Sequence, residues 1–567
     1  MKPRRWAWTG IGVVLATVGA LLQAPAQPPR QTGITALLPA GATLVLQAKD
    51  FAALVGDWNT SAEKTKWLAS ANYKAFSRSR LFLRLKGAMD EFSSAAGVPP
   101  DMALVSDVAG AESALALYDI GKLEFLFVTH LPSAKTMENA LWRTRGTYQP
   151  RQAAGTPFYV RVDPQSKRVV AFGVRNQYLV LATREDLLAG ALTLIGGQGG
   201  TSSVETEGWF AQSVKAAGAP GDLRLVADLG TLVKQPHFRS YWVQDNITEL
   251  KQYMSAVSDL TRTPSEIREE RVLLRAEERP AAENAAGLGD IVRLVPDTAG
   301  LYRAWMAPAA EQAAALIFEK VIATSTAAAQ RDRTAPRLGS TAAVAGGGGD
   351  FESRIDEEAR GPRATTYQMG ALAQLVGSEA LTAMLHVEAT RAASDGVFVD
   401  RGSVIVLARP SAWPQGGARD AVTALVDPVW TKAHLGMRWA DARIGTQTFS
   451  RLEGLETVAV AERGRLLLVA SDPALLAAVL DATSKPAVAL EGAYAAGFRH
   501  ALERGRFVSA TRFVDNAIAG SENREPLFFS ENLASLSDTL SRVDSASIVV
   551  RDRGATVSQT MTYRLAR

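Results

Sequence analysis

The 567-residue chain contains no cysteine. That excludes disulfides, thiolate metal ligands and the lipid-accepting cysteine of a bacterial lipoprotein signal. Histidine is almost as scarce: His130, His237, His386, His434 and His500 are the only five. No two lie close in sequence and none forms a His-x-x-x-His pair, so a metal site would need ligands from distant segments. They read as surface or core histidines, and we expect no metal and no cofactor. Long apolar runs are missing beyond residue 22, so no later segment reaches the length of a membrane span. Net charge is low as well. The chain carries +4, and residues 1–26 hold three basic side chains and no acidic one, which leaves +1 for the remainder. That near-neutral overall balance is not the electrostatic footprint of a nucleic-acid-binding chain, and no nucleic-acid partner is expected.

What the chain does have begins at its N-terminus. MKPRR carries Lys2, Arg4 and Arg5, WAWTGIGVVLATVGALL (6–22) is uncharged and apolar, and Ala24-Pro25-Ala26 has the small-x-small form read by signal peptidase. Residues 1–26 are therefore expected to be a signal peptide cleaved after Ala26, with Ala24 and Ala26 as the recognition residues. The protein would then be periplasmic or extracellular. The alternative is an uncleaved N-terminal membrane anchor, the one membrane contact expected. With 47% hydrophobic and 21% charged residues the rest is a folded chain, long enough for two cores.

Its organisation is written in a repeat. YLVLATREDLLAGAL (178–192) returns as LLLVASDPALLAAVL (466–480), 288 positions later. Each reads as a strand running into a helix, with Thr183 and Ser471 as expected helix caps. Around this junction Trp142 pairs with Trp430, Gly155-Thr156 with Gly445-Thr446, and Arg161 with Arg451. At the front, LLPAGATLVL (37–46) resembles LVPDTAGLYR (294–303) at the shorter offset of 257, so about thirty extra residues are required in the second copy. Residues 331–366, rich in glycine, alanine and charge without apolar period, are read as that insertion. Strands are expected at 113–119, 123–131 and through 158–183, and helices after Asp50, over 77–96 and around 137–143. The expected fold is α+β: two tandem similar modules, 34–282 and 290–567, each an antiparallel sheet flanked by helices.

The stretches LLPAGATLVLQAKDFAALVGDW (37–58), FSRSRLFLRL (76–85) and YLVLATREDLLAGAL resemble the bacterial domain of unknown function 3352 family. The resemblance implies an exported protein without an assigned activity, and supplies no catalytic residues to carry over.

Catalytic signatures are sparse. Ser61-Ala62-Glu63-Lys64 has the Ser-x-x-Lys spacing of penicillin-recognising hydrolases, but lacks their Ser-Asp-Asn and Lys-Thr-Gly partners. Gly196-Gly197-Gln198-Gly199-Gly200 follows a helix, the wrong side for a phosphate cradle, and reads as a connector, as does Gly346–Gly349. Asp90-Glu91 and Asp356-Glu357-Glu358 read as solvated surface. Trp142 and Trp430 read as core anchors, and Arg161 and Arg451 as exposed strand residues. The expected function is a non-enzymatic cell-envelope protein that binds or scaffolds an unidentified ligand or protein, extending to an apolar ligand carried between the modules. The alternative is an exported hydrolase whose site is assembled from distant residues, with Ser61 and Lys64 as its named candidates.

Overall fold

The structure is a computed structural model that describes residues 33–131, 137–197, 199–239, 250–281, 287–322, 370–392, 399–430, 437–454, 457–504 and 541–566. Residues 1–26 with Ala24 and Ala26, the segment 331–366, His434 and the side chains of Trp430 and His237 lie outside what is described. The fold is mixed α+β, with twenty strands whose registered pairs are all antiparallel. The chain divides into two compact units that interleave in sequence. The first comprises Met1–Gly56, Lys86–Val214 and Leu225–Trp242; the second comprises Asp57–Leu85, Lys215–Arg224 and Val243–Arg567.

Local sequence signals set the first elements. Asp50 Oδ1 accepts the Ala53 amide at 2.9 Å and starts the helix Phe51–Thr60. The amphipathic stretch forms the helix Arg80–Ala96, whose C-terminal half buries Phe92, Ala95 and Ala96. The strands of the first unit are β1 (Leu44–Ala48), β2 (Ser113–Asp119), β3 (Glu124–His130), β4 (Gln149–Ala153), β5 (Thr156–Val162), β6 (Val169–Arg175), β7 (Tyr178–Ala182) and β8 (Leu223–Asp228). Their pairings run 8-1-2-3-7-6-5-4.

The second unit contains the hairpin β9 (Tyr253–Arg262) and β10 (Glu266–Arg275), then β11 (Leu301–Met306), β12 (Ala383–Ala392), β13 (Val399–Ala408), β14 (Arg438–Ile444), β15 (Gln447–Glu453), β16 (Val458–Arg463), β17 (Leu466–Ala470) and β18 (Tyr494–Phe498). Strands β11 to β18 pair in the order 18-11-12-13-17-16-15-14. A second ten-residue hairpin, β19 (Val543–Asp552) and β20 (Thr556–Leu565), joins β18 through β19. The hairpins meet where β10 pairs with β20, and the pair Glu270–Thr560 differs in number by 290, the same offset that separates the hairpins themselves. The two ladders are thus related by a local two-fold through that pair, the arrangement of an isologous contact.

The repeated junction does not use the expected caps. Helix Glu185–Ile195 begins after Arg184 with no side-chain cap, and the cap of helix Pro473–Asp481 is Asp472, whose carboxylate accepts the Ala474 and Leu475 amides. Thr183 and Ser471 do something else, and both do the same thing. Thr183 Oγ1 accepts the Phe125 amide at 2.8 Å, and Ser471 Oγ accepts the Ser403 amide at 3.0 Å. Each residue also donates its own amide back to the same partner's carbonyl, at 3.1 and 3.0 Å. A hydroxyl is needed to satisfy an interior strand amide just where the ladder ends.

Register corrects one further pairing. From Ala182 the ladder passes through Ala171 to Val160; from Ala470 it passes through Ala459 to Arg451. Arg451 therefore stands where Val160 does, and Arg161 stands with Leu452. One residue of slip puts the two arginines on opposite sheet faces.

Apolar layers cover the sheets. In the first unit Phe92, Leu104, Leu141, Phe172 and Leu179 form one cluster. In the second, Ile317, Val321, Val422 and Leu467 pack on one sheet face, and Leu288, Phe449, Leu476 and Val479 on the other. A charge pair is buried in the second unit. Arg224 Nε and Nη2 each lie 2.7 Å from the Asp259 carboxylate, with the two side chains 3% and 9% exposed. Asp259 also accepts the Gly221 amide at 3.0 Å. Asp259→Ala leaves a buried guanidinium unpaired and is expected to cost about 3–5 kcal/mol in chemical denaturation, while the double change Arg224→Leu/Asp259→Leu costs clearly less. Equal losses for the two variants would contradict this account of the pair.

Candidate functional site

Strand β12 reads AMLHVEATRA, and its period of two places Met384, His386, Glu388 and Thr390 on one face. Met384 belongs there: it packs among Ile317, Ile405 and Leu407. The next three residues put polar groups on a buried face. His386 is 0% exposed, and neither ring nitrogen has a hydrogen-bond partner. Its Nε2 lies 3.3 Å from Glu388 Oε1 without the alignment of a hydrogen bond. Arg401 Nη1 donates to the other oxygen of Glu388 at 3.2 Å. Thr390 Oγ1 donates to Glu503 Oε2 at 2.5 Å, and Glu503 Oε1 is buried without a partner. Gly300 makes room for this carboxylate, since a Cβ there would stand 1.8 Å from Glu503 Oε1.

Burial, with the positive charges of Lys320 and Arg303 adding to it, pushes the His386 imidazole down to about 3. It is a neutral ring held beside a carboxylate. Its unsatisfied nitrogens cost stability, because a buried polar group without a partner loses its hydration for nothing in return. The matched place in the first unit carries no such cost. Following the ladders through β3 and β13, Leu115 occupies the place of His386 and Leu117 that of Glu388. Among the described residues no three histidine and carboxylate groups converge as metal ligands.

A cleft of about 530 Å³ in the first unit is lined by Pro39, Gly41, Tyr118, Arg184, Asp186 and Thr201, among others. Its polar groups are largely spoken for. The Tyr118 hydroxyl donates to the Pro39 carbonyl at 2.8 Å, and Arg184 binds Glu124 at 3.1 Å and Asp186 at 2.5 Å. Glu207 accepts the Gly41 amide at 3.2 Å, and burial raises its carboxyl above the usual range.

The residues singled out from sequence fall elsewhere. Ser61 is the N-cap of helix Ala62–Ala69: its Oγ accepts the Lys64 amide at 3.1 Å and donates to the Trp58 carbonyl at 2.8 Å. Lys64 Nζ donates to Asn59 at 2.6 Å. The Ser-x-x-Lys spacing is thus a capping spacing here. Trp142 lies in an aromatic group with Tyr159 and Phe172, ring centres 5.6 and 6.2 Å away. Arg451 pairs with Glu453, and Glu91 with Arg168 at 2.7 Å. Gly196 is the C-cap of helix Glu185–Ile195. His130 stacks edge-on against Tyr178 at 5.3 Å, and His500 Nδ1 lies 3.1 Å from the Val543 carbonyl. From sequence His386 reads only as a surface or core histidine, unconnected with Glu388, Thr390 or Glu503. The signal was available in the period of two, which sets a histidine and a glutamate in line with Met384.

No protein family and no curated relative matches this chain. Among solved structures, two crystal forms of TP0453 are similar over 42% and 44% of this chain and 79% and 81% of their own. Identity is 11% and 12%, and the TM-score is 0.23 for both.

The buried imidazole makes stability pH-dependent. Unfolded, the ring binds a proton below about 6.5; folded, it stays neutral down to about 3. The unfolded state therefore binds more protons in that window, and stability falls as pH drops through it. Between pH 7.5 and 5 the loss from this one group is about 2 kcal/mol. His386→Leu, the residue standing at the matched place in the first unit, is expected to raise the melting temperature and to remove most of this slope. Thermal unfolding of both proteins at the two pH values checks it; an unchanged slope would refute the assignment.

Proposed function

We propose that the chain is an exported cell-envelope protein that binds or scaffolds, built from two copies of one α+β module, 34–282 and 290–567. The observation that carries this reading is the strand order 8-1-2-3-7-6-5-4, which recurs as 18-11-12-13-17-16-15-14. A frame repeated in this detail, with a hydroxyl in the same role at Thr183 and Ser471, supports descent from one module. Offsets agree as well. Leu44 pairs with Leu117 as Leu301 pairs with Glu388, which reproduces the 257-residue offset at the front of the copies. The resemblance to the domain of unknown function 3352 family belongs to the same reading.

Binding is favoured over hydrolysis because Ser61 spends its hydroxyl on capping and Lys64 its ammonium on Asn59. The leader pattern of residues 1–26 supports export, and the ligand in this reading is an envelope molecule, with an apolar one carried between the copies as its sharpest form. Two measurements test it together. N-terminal sequencing of the protein recovered from an expressing bacterium is expected to begin at Gln27. Mass spectrometry of an organic extract of the purified protein is expected to show a co-purifying apolar species. An extract free of ligand, combined with ester or amide hydrolysis that Ser61→Ala abolishes, would replace the binding reading with the hydrolase.

A further inference from the structure

Residues 57–85 of the second unit stand apart in charge and in exposure. They hold six cations (Lys64, Lys66, Lys74, Arg78, Arg80 and Arg84) against two acids, Asp57 and Glu63. Both acids are already engaged outside the segment, Asp57 with Arg262 at 3.4 Å and Glu63 with Arg542 at 2.8 Å. The excess of +4 equals the net charge of the whole chain, packed into 29 residues. The same residues show apolar side chains to solvent: Trp58 is 42% exposed, Leu68 45%, Leu83 58% and Leu85 40%. These are four of the ten large apolar side chains at least 40% exposed among the described residues.

The segment is built rather than loose. Trp67, Tyr73, Phe76 and Phe82 make a chain of ring contacts at 5.4–6.4 Å, tying the helices Ala62–Ala69 and Ala71–Phe76 to the start of Arg80–Ala96. The four rings are half-buried against one another, while Leu68, Leu83 and Leu85 are exposed. Leu85 lies two helical turns before buried Phe92, so the stripe that enters the first unit's core continues, uncovered, toward the helix start. In the same segment Lys66, Lys74 and Arg78 are exposed, and Lys66 Nζ donates to Ser541 Oγ at 2.8 Å.

We propose that residues 57–85 form a docking surface for an anionic lipid bilayer. A bilayer surface accepts this combination in one act: aliphatic and tryptophan side chains enter the boundary between headgroups and acyl chains, while lysine and arginine remain at the anionic headgroups. Charge complementarity selects this occupant over a second copy of the chain, because two such surfaces would bring +4 against +4. The inference stands apart from the export reading, since it concerns the folded surface and not the leader.

The test is co-sedimentation of the purified chain with vesicles of phosphatidylcholine alone, and with vesicles containing roughly one third phosphatidylglycerol. Binding is expected only to the anionic vesicles and is expected to weaken as salt is raised. Lys74→Glu/Arg78→Glu and, separately, Leu83→Glu/Leu85→Glu change exposed positions, so the fold is retained. Each pair is expected to lower vesicle affinity by at least about tenfold. All proteins carry the same N-terminus, so any contribution of the leader cancels in the comparison. Equal binding to neutral vesicles, or affinity unchanged in both variants, would overturn the proposal. So would failure to bind either vesicle together with a dimer, seen by light scattering, that the leucine variant dissociates; the occupant would then be a second copy.

Discussion

One hydroxyl-to-amide bond fixes the point at which each sheet gives way to a helix. Strands β7 and β17 end at Ala182 and Ala470, and the next residue in each case turns its hydroxyl onto the amide of the neighbouring strand. Without that acceptor the amides of Phe125 and Ser403 would face the core edge unpaired, a cost of about 1–3 kcal/mol each. The bond also frees the following residue to leave the ladder, so the helices Glu185–Ile195 and Pro473–Asp481 start within two residues of it. Those helices then cover their sheets, burying Leu188 and Leu192 in one unit and Leu476 and Val479 in the other. The placement of these helices and the core beneath them therefore depend on a junction that threonine and serine satisfy alike.

Much of this was legible in the sequence because period-two and period-3.6 patterns carry it. β2 coincides with the stretch expected from SALALYD, and the helix Arg80–Ala96 with its amphipathic run. What escaped was whatever lacked a pattern. QPRQA forms β4 with four exposed residues and one half-buried, so nothing apolar alternates. The junction residues were recognised and misassigned: a Ser or Thr before an acidic first turn reads as a cap, and only the neighbouring strand shows that its hydroxyl is already committed. Arg161 and Arg451 failed for a related reason. The sequence pairs Gly155 with Gly445, but the turn residues between the registered pairs are Ala154-Gly155 and Gly445-Thr446, so Ala154 matches Gly445 and one residue reverses the face.

The His386 group was hidden differently. Each of its members is ordinary in isolation, and only the ladder reveals that they line up on a face where the other unit has leucines. A repeated frame makes such departures visible. Where both units use apolar residues, packing explains the choice; where one substitutes a buried histidine and glutamates, packing opposes it. The cost falls on one unit alone, so the fold does not require the group. That asymmetry marks the group as a departure of one unit from the shared frame.

The outer edges of the sheets narrow what the protein can bind and how. Among the described residues β4 pairs only with β5, and β14 only with β15, so each leaves a row of backbone groups open to another strand. Both rows are defended. β4 carries Pro150, which has no amide to donate, and Arg151; β14 carries Arg438, Asp441 and Arg443 along seven residues. Proline and charge at an edge oppose strand addition. Recognition through these edges is therefore disfavoured, and a partner must be met by side chains. The helical segment 57–85 offers such a surface, with exposed leucines and a tryptophan on a stretch that carries six cations and two acids. Sheet edges that resist partners and a helical surface that invites one are two halves of the same arrangement, in which the strands build the frame and the helices meet what lies outside it.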